Sequence, residues 1–253
     1  MHRSIWLSAA LAAAAVCLAG GADAKPKPLN LAACPAWGSE NQGTARAALN
    51  EVKKRVPPAG TPTMLAFPDF SVLQQQGDKL VTSGKDSKVS VKGRAKLHAL
   101  EIPGGTRVGE GDLVSMVGYM TGKPSVNPGE SANCYLAGVN NNDFEFSIAP
   151  SADGTPYQGV VAEMIPQDRP KGWTLSRLRK LANEHRQVLI VGQLMFDTRH
   201  VPNPKPGTNH ESPRFSTWEI HPVTKMLVCA QPTGGCDAKQ EGQWTLFENV
   251  AEK

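Results

Sequence analysis

The sequence predicts a mainly β chain: a small five-stranded barrel with one helix inserted after its third strand, preceded by a helical N-terminal extension. Three observations predict it. Five separate segments, 113–120, 144–148, 159–165, 188–196 and 217–228, carry strand-forming apolar residues bounded by turn residues. One strong amphipathic helical pattern, 174–184, falls between the third and the fourth of them. Gly118 and Gly192 sit inside strands, where a small barrel needs sharp bends or bulges.

The chain opens on a short basic start, Met1 to Arg3, followed by an alanine-rich apolar run and the small-x-small sequence Ala22-Asp23-Ala24. That order reads as a signal peptide over residues 1–24, so the protein is expected to be exported, periplasmic or extracellular. A retained membrane span is not expected, because Gly20-Gly21 cut the run short of the roughly 20 residues a spanning helix needs. Cys17 follows Val16 rather than a small residue, which argues against a lipoprotein anchor. Cys34, Cys134, Cys229 and Cys236 remain, an even number, and no pair has the C-x-x-C spacing of a redox or zinc motif. Two disulfides have three connectivities open to them. The favoured one joins Cys229 to Cys236 across a short turn and Cys34 to Cys134, pinning the N-terminal segment to the barrel.

Residues 25–86 form the extension. Ala45, Ala48, Leu49, Val52 and Val56 make one apolar stripe at helical spacing, giving a helix at about 44–55 that Pro57-Pro58 stop. Residues 60–86 are broken by Pro62, Pro68 and Gly77 and read as irregular, with one turn of helix, covering an open end of the core. The barrel is placed at 87–236. Val89 and Val91 alternate with Ser90 and Lys92, which reads as an extra strand over 89–100. Strand 113–120 leads into a long loop, 121–142, then come strands 144–148 and 159–165 and the helix 174–184, with Thr174 as N-cap. Strands 188–196 and 217–228 complete the set, and residues 237–253 are a C-terminal tail. The order β-β-β-α-β-β is that of the OB barrel; the competing arrangement is an open α+β sheet.

In an OB barrel the ligand meets strands two and three and the loops joining strands one to two and four to five. The second of these loops, 197–216, is proline-broken and polar. With the strand after it, it holds three of the six histidines, His200, His210 and His221, together with Arg199, Arg214 and Glu219. Period-two alternation places Trp218 and Ile220 on the core face and Glu219 and His221 together on the other, at the outer surface or rim. Two chemistries suit this group. His200, His210 and His221 are candidate ligands for a divalent metal. Alternatively His221 or His200 acts as general acid or base with Glu219 orienting it, while Arg214 and Arg199 neutralise a phosphodiester. The plainer reading is that Glu219 and His221 form a structural hydrogen-bonded pair.

A binding role asks less of these residues. The formal charge of +4 is a mild bias towards anionic partners. Arg199 and His210, with Tyr119 and Phe144 as stacking groups, are the candidate contacts to nucleic acid, an oligosaccharide or another anionic polymer. Aromatic residues make up only 6% of the chain, so most are needed in the core. No P-loop, G-x-G-x-x-G, G-x-S-x-G or H-E-x-x-H occurs, which argues against nucleotide-dependent enzymes, elbow-type serine hydrolases and zincin proteases. The expectation is therefore an exported binding module for an anionic polymer or envelope partner, with a phosphodiesterase or nuclease built on the 197–221 cluster as the alternative.

The stretch Trp218-Glu-Ile-His-Pro-Val-Thr-Lys225, the strand 188–197 before it, Gly129-Glu-Ser-Ala-Asn-Cys134 and the helix 48–55 together resemble a group of uncharacterised exported bacterial proteins. The resemblance covers roughly 44–228 and implies the domain boundary but no activity. In element order alone the chain is similar to the thermonuclease-type OB barrel, whose arginine and carboxylate catalytic pattern has no residue-by-residue match here.

Overall fold

The computed structural model describes residues 28–203, 205–207, 212–231 and 235–251; the expected signal peptide and His210 lie outside them. Among the described residues the fold is mainly β, with a seven-stranded sheet, a separate two-stranded one and four helices. In chain order the elements are α1 (Ala45–Lys53), β1 (Thr63–Leu65), α2 (Phe67–Leu80), α3 (Val91–Arg94), β2 (Leu100–Glu101), β3 (Arg107–Val108), β4 (Leu113–Asn127), β5 (Asp143–Ala149), β6 (Val160–Met164), α4 (Leu175–Asn183), β7 (Gln187–Phe196), β8 (Trp218–Cys229) and β9 (Trp244–Leu246).

Five strands pair in a ring. β4 pairs antiparallel with β5, β5 with β6, and β6 runs parallel to β8 through Ala162 and Ile220. β8 then pairs with β7, and β7 returns to β4. β4 serves both neighbours because it is long: residues 113–119 pair with β7 and residues 119–127 with β5, across a register shift between Thr121 and Ser125. The expected loop 121–142 thus gives its first part to this strand. β1 flanks β4, and β9 pairs with the end of β8.

The core is the face shared by Met116, Met120, Phe146, Ile148, Val160, Ala162, Leu194, Phe196, Trp218 and Ile220, closed by Leu178 and Leu181 of α4. Phe196 and Trp218 meet edge to face at 5.0 Å, a favourable aromatic geometry. Thr174 caps α4 as expected, its hydroxyl accepting from the Arg177 amide, and Thr44 caps α1 in the same way from Ala47.

Two expectations fail in the N-terminal half. Residues 60–86 contain the 14-residue helix α2. Pro68 lies in its first turn, where a missing N–H costs nothing, and the Asp69 carboxylate accepts from the Ala66 amide at 2.8 Å. Gly77 reads as a breaker but is a packing residue, since a Cβ there would lie 2.7 Å from the Phe196 ring. The expected strand 89–100 is instead α3 and a 3-10 turn over Ala95–Leu97, with only Leu100–Glu101 extended. Ser90 caps α3 by accepting from Gly93, and Arg94 is drawn inside to form a forked ion pair with Glu110. A buried pair of that geometry outweighs the local alternation of two valines.

Gly192 sits at the bulge between β7 and β8, where a Cβ would lie 2.3 Å from the Pro222 carbonyl oxygen. A backbone atom cannot yield as a side chain can. Gly192→Ala is therefore expected to cost about 1–3 kcal/mol, the range of overpacking, read as a lower urea midpoint with unchanged m-value.

Candidate functional site

Alternation along β8 holds: Trp218 and Ile220 are core, and Glu219 and His221 share the opposite face. That opposite face is not the outer surface. Glu219 and His221 are both 0% exposed. The cover is α1, which lies across this side of β7 and β8. Leu49 and Val52 pack on Met195, and the Gln193 side-chain amide donates to both the Val52 and the His221 carbonyls, at 2.8 and 2.7 Å. Burying each aliphatic side chain contributes about 1.5–3 kcal/mol, so the lid is held by packing. It is also stapled. Cys34 bonds to Cys134 and Cys229 to Cys236, the favoured connectivity.

Beneath α1 lies a buried ionic cluster. The Arg214 guanidinium donates to Glu219 Oε1 at 2.5 Å, with both side chains out of solvent. Lys53 of α1 reaches down to Glu130 at 2.5 Å. His221 stands among carboxylates: Nε2 is 3.5 Å from Asp143 Oδ2, and Nδ1 is 3.6 Å from both Glu163 Oε2 and Glu219 Oε2. Asp143 Oδ1 also accepts from the Asn133 amide at 2.8 Å. Nearer the surface His200 Nδ1 donates to Asp197 Oδ2 at 2.6 Å, while Asp197 Oδ1 accepts from the Arg199 amide. Backbone bonds between Asn203 and Arg214, in both directions, join the two arms of the β7–β8 connection beyond His200.

Burial sets the protonation of these groups. It pushes Asp143 well above the usual carboxylate range, helped by the charge of Glu130, and it does the same to Glu163, with Lys53 opposing and Glu130 and Glu219 adding. Burial also raises Glu145, partly offset by Arg214. Desolvation alone would raise Asp197, but the hydrogen bond and charge of His200 hold it well below its ordinary value. Its partner moves the other way: burial lowers His200, yet the Asp197 carboxylate raises it overall and favours the imidazolium. Lys53 stays charged because Glu130, Glu163, Asp197 and Glu219 together overcome its desolvation.

A cavity of about 490 Å³ opens above the cluster, lined among others by Arg46, Lys53, Lys85, Asp197, Arg199 and His200. Of the residues singled out from the sequence, His200, Arg214, Glu219 and His221 come together, and Arg199 lines the cavity. Phe144 and Tyr119 do not join them. Phe144 is buried in the core with the Arg169 guanidinium 3.5 Å over its ring, and Tyr119 is half-buried where β4 runs beside Gln187. The sequence reading missed Lys53, Glu130, Asp143, Glu145 and Glu163. A signal existed for three of them: Asp143 and Glu145 alternate with Phe144 and Phe146, and Glu163 interrupts Val160-Val-Ala-Glu-Met164. Acidic residues inside such apolar strands mark a second face that is polar. No protein-family model, curated protein or solved structure matches the chain.

Proposed function

We propose that this protein is an exported module, built on an OB-like barrel, that binds a phosphate-bearing polymer in the cavity beside α1, single-stranded nucleic acid being the form to test. The observation that carries the reading is the cavity mouth, where Arg46 of α1, Lys85 of the segment after α2, and Arg199 and His200 of the β7–β8 connection converge from three parts of the chain. Lys85 and Arg199 have no ion pair among the described residues, and Asp197 favours the cationic form of His200. Cations gathered on one concave surface are what phosphate recognition uses. The OB-like assignment is supported by the ring of pairings, by the parallel β6–β8 contact and by α4 lying between β6 and β7. Two disulfides are compatible with export.

The test is fluorescence anisotropy with a labelled single-stranded oligonucleotide over a salt series. Affinity is expected to fall as salt rises, and Lys85→Ala with Arg199→Ala is expected to weaken every sequence alike and to flatten the log–log salt slope by about 1–2. Binding that is absent, or indifferent to salt, would sink the reading.

A second reading has one observation behind it. Asp197 fixes His200 Nδ1, and the other ring nitrogen has no hydrogen bond among the described residues, so a partly exposed imidazolium stands ready to give a proton to a leaving oxygen. Turnover of an oligonucleotide that His200→Gln abolishes while binding persists would establish that chemistry. Arg214, Glu219 and His221 are too deeply buried to touch a polymer and would act only through others.

A further inference from the structure

We propose that Asp143, Glu163 and His221 form a buried binding site for a divalent transition-metal ion of the zinc or manganese class, with Glu219 in reach as a fourth ligand. The inference is independent of the polymer reading.

Geometry comes first. The three residues each present a ligand atom within 4.8 Å of the others. The separations of 3.6 Å from His221 Nδ1 to Glu163 Oε2 and to Glu219 Oε2 are long for hydrogen bonds. They suit the edges of a coordination shell, since ligand atoms about 2.0–2.2 Å from a tetrahedral ion stand about 3.3–3.6 Å apart.

Satisfaction comes second. Among the described residues, both His221 ring nitrogens, Glu163 Oε2 and Glu219 Oε2 are buried without a hydrogen-bond partner. A buried polar atom without a partner costs about 1–3 kcal/mol, more when charged. An imidazole binds an ion through one nitrogen, so a cation at Nδ1 would satisfy that atom together with Glu163 Oε2 and Glu219 Oε2.

Charge comes third. Glu145 and Glu163 lie directly opposite each other in the β5–β6 register, an arrangement of like charges that destabilises a sheet. In the cluster the carboxylates of Glu130, Asp143, Glu145, Glu163, Asp197 and Glu219 outnumber the cations Lys53, Arg214 and His200. Lys53 and Arg214 are engaged by Glu130 and Glu219 Oε1, which leaves Asp143 and Glu163 the uncompensated pair. A divalent ion held between them would balance their charge. The donor set, one imidazole with carboxylates and no thiolate, selects the zinc or manganese class over copper(I), and its low oxygen count disfavours calcium.

The test uses the full disulfide-bonded protein. After chelator treatment and dialysis, Zn²⁺ is titrated by calorimetry and the melting temperature is followed. One ion per chain is expected, with a rise in melting temperature, and Glu163→Gln is expected to weaken Zn²⁺ uptake at least 10-fold while leaving the far-UV circular dichroism unchanged. His200→Gln separates this site from the Asp197–His200–Glu219 group nearer the surface and is expected to leave uptake intact. A folded wild-type chain that takes up neither Zn²⁺ nor Mn²⁺ overturns the proposal, and so does uptake lost in His200→Gln but kept in Glu163→Gln. If Glu163→Gln does not fold, the wild-type stoichiometry and the His200→Gln result decide.

Discussion

Replacing Cys34 and Cys134 together by serine is expected to lower unfolding stability by about 4–5 kcal/mol, the largest single loss in the molecule. The bond closes a loop of 100 residues, and the chain-entropy cost of leaving such a loop open is about 4.7 kcal/mol. Cys229 and Cys236 are only seven positions apart, so the same change there should cost about 2.5 kcal/mol. The long bond carries a second effect. It ties the lead-in and the 130–134 turn together beside α1, and α1 is the lid over the ionic cluster. Urea unfolding of each double variant would measure the difference, and amide exchange would locate it. Equal losses at the two bonds, or an α1 as protected without Cys34–Cys134 as with it, would refute this account.

Arg214→Ala should be nearly as damaging, at about 3–5 kcal/mol, because it strands the Glu219 carboxylate where it is 0% exposed. The cost belongs to the broken pair rather than to the arginine. Arg214→Met combined with Glu219→Leu removes both charges and should recover most of the loss, since a buried ion pair is often no more stabilising than an apolar pair of similar volume. The comparison by denaturant midpoint is direct: if the double variant is no better than Arg214→Ala, the stranded charge is not the cause.

Much of the fold was legible because the local signals agree with the tertiary result. α1 and α4 have apolar stripes and threonine caps, and β5 to β8 alternate or run apolar to their turns. α2 was hidden because Pro68 and Gly77 carry opposite meanings at different places: a proline in a first turn starts a helix, and a glycine under Phe196 permits close packing. The 89–100 segment was misread because Arg94 is held by Glu110, a partner that lies outside the segment. The site was half legible. Alternation put Glu219 and His221 on one face, but only the packing of a distant helix turns that face from a surface into an interior. Lys53 looked like one charge on a solvated helix face; its neighbours across the sheet make it a buried counterion.

The ring of pairings also governs how the folded chain meets its own copies. β4, β5, β6, β8 and β7 each have a neighbour on both sides, with β6 and β8 meeting at the single pair Ala162 and Ile220, so no long strand lies at the sheet's edge. Among the described residues, the remaining margins of this sheet are β1 and β9, three residues each. Margins that short make poor templates for cross-chain strand addition, which is how many β proteins begin to aggregate. Resistance to such polymerisation is thus built into the hydrogen-bond circuit and does not depend on surface charge. It should fail only when β7 or β8 is pulled from its neighbours.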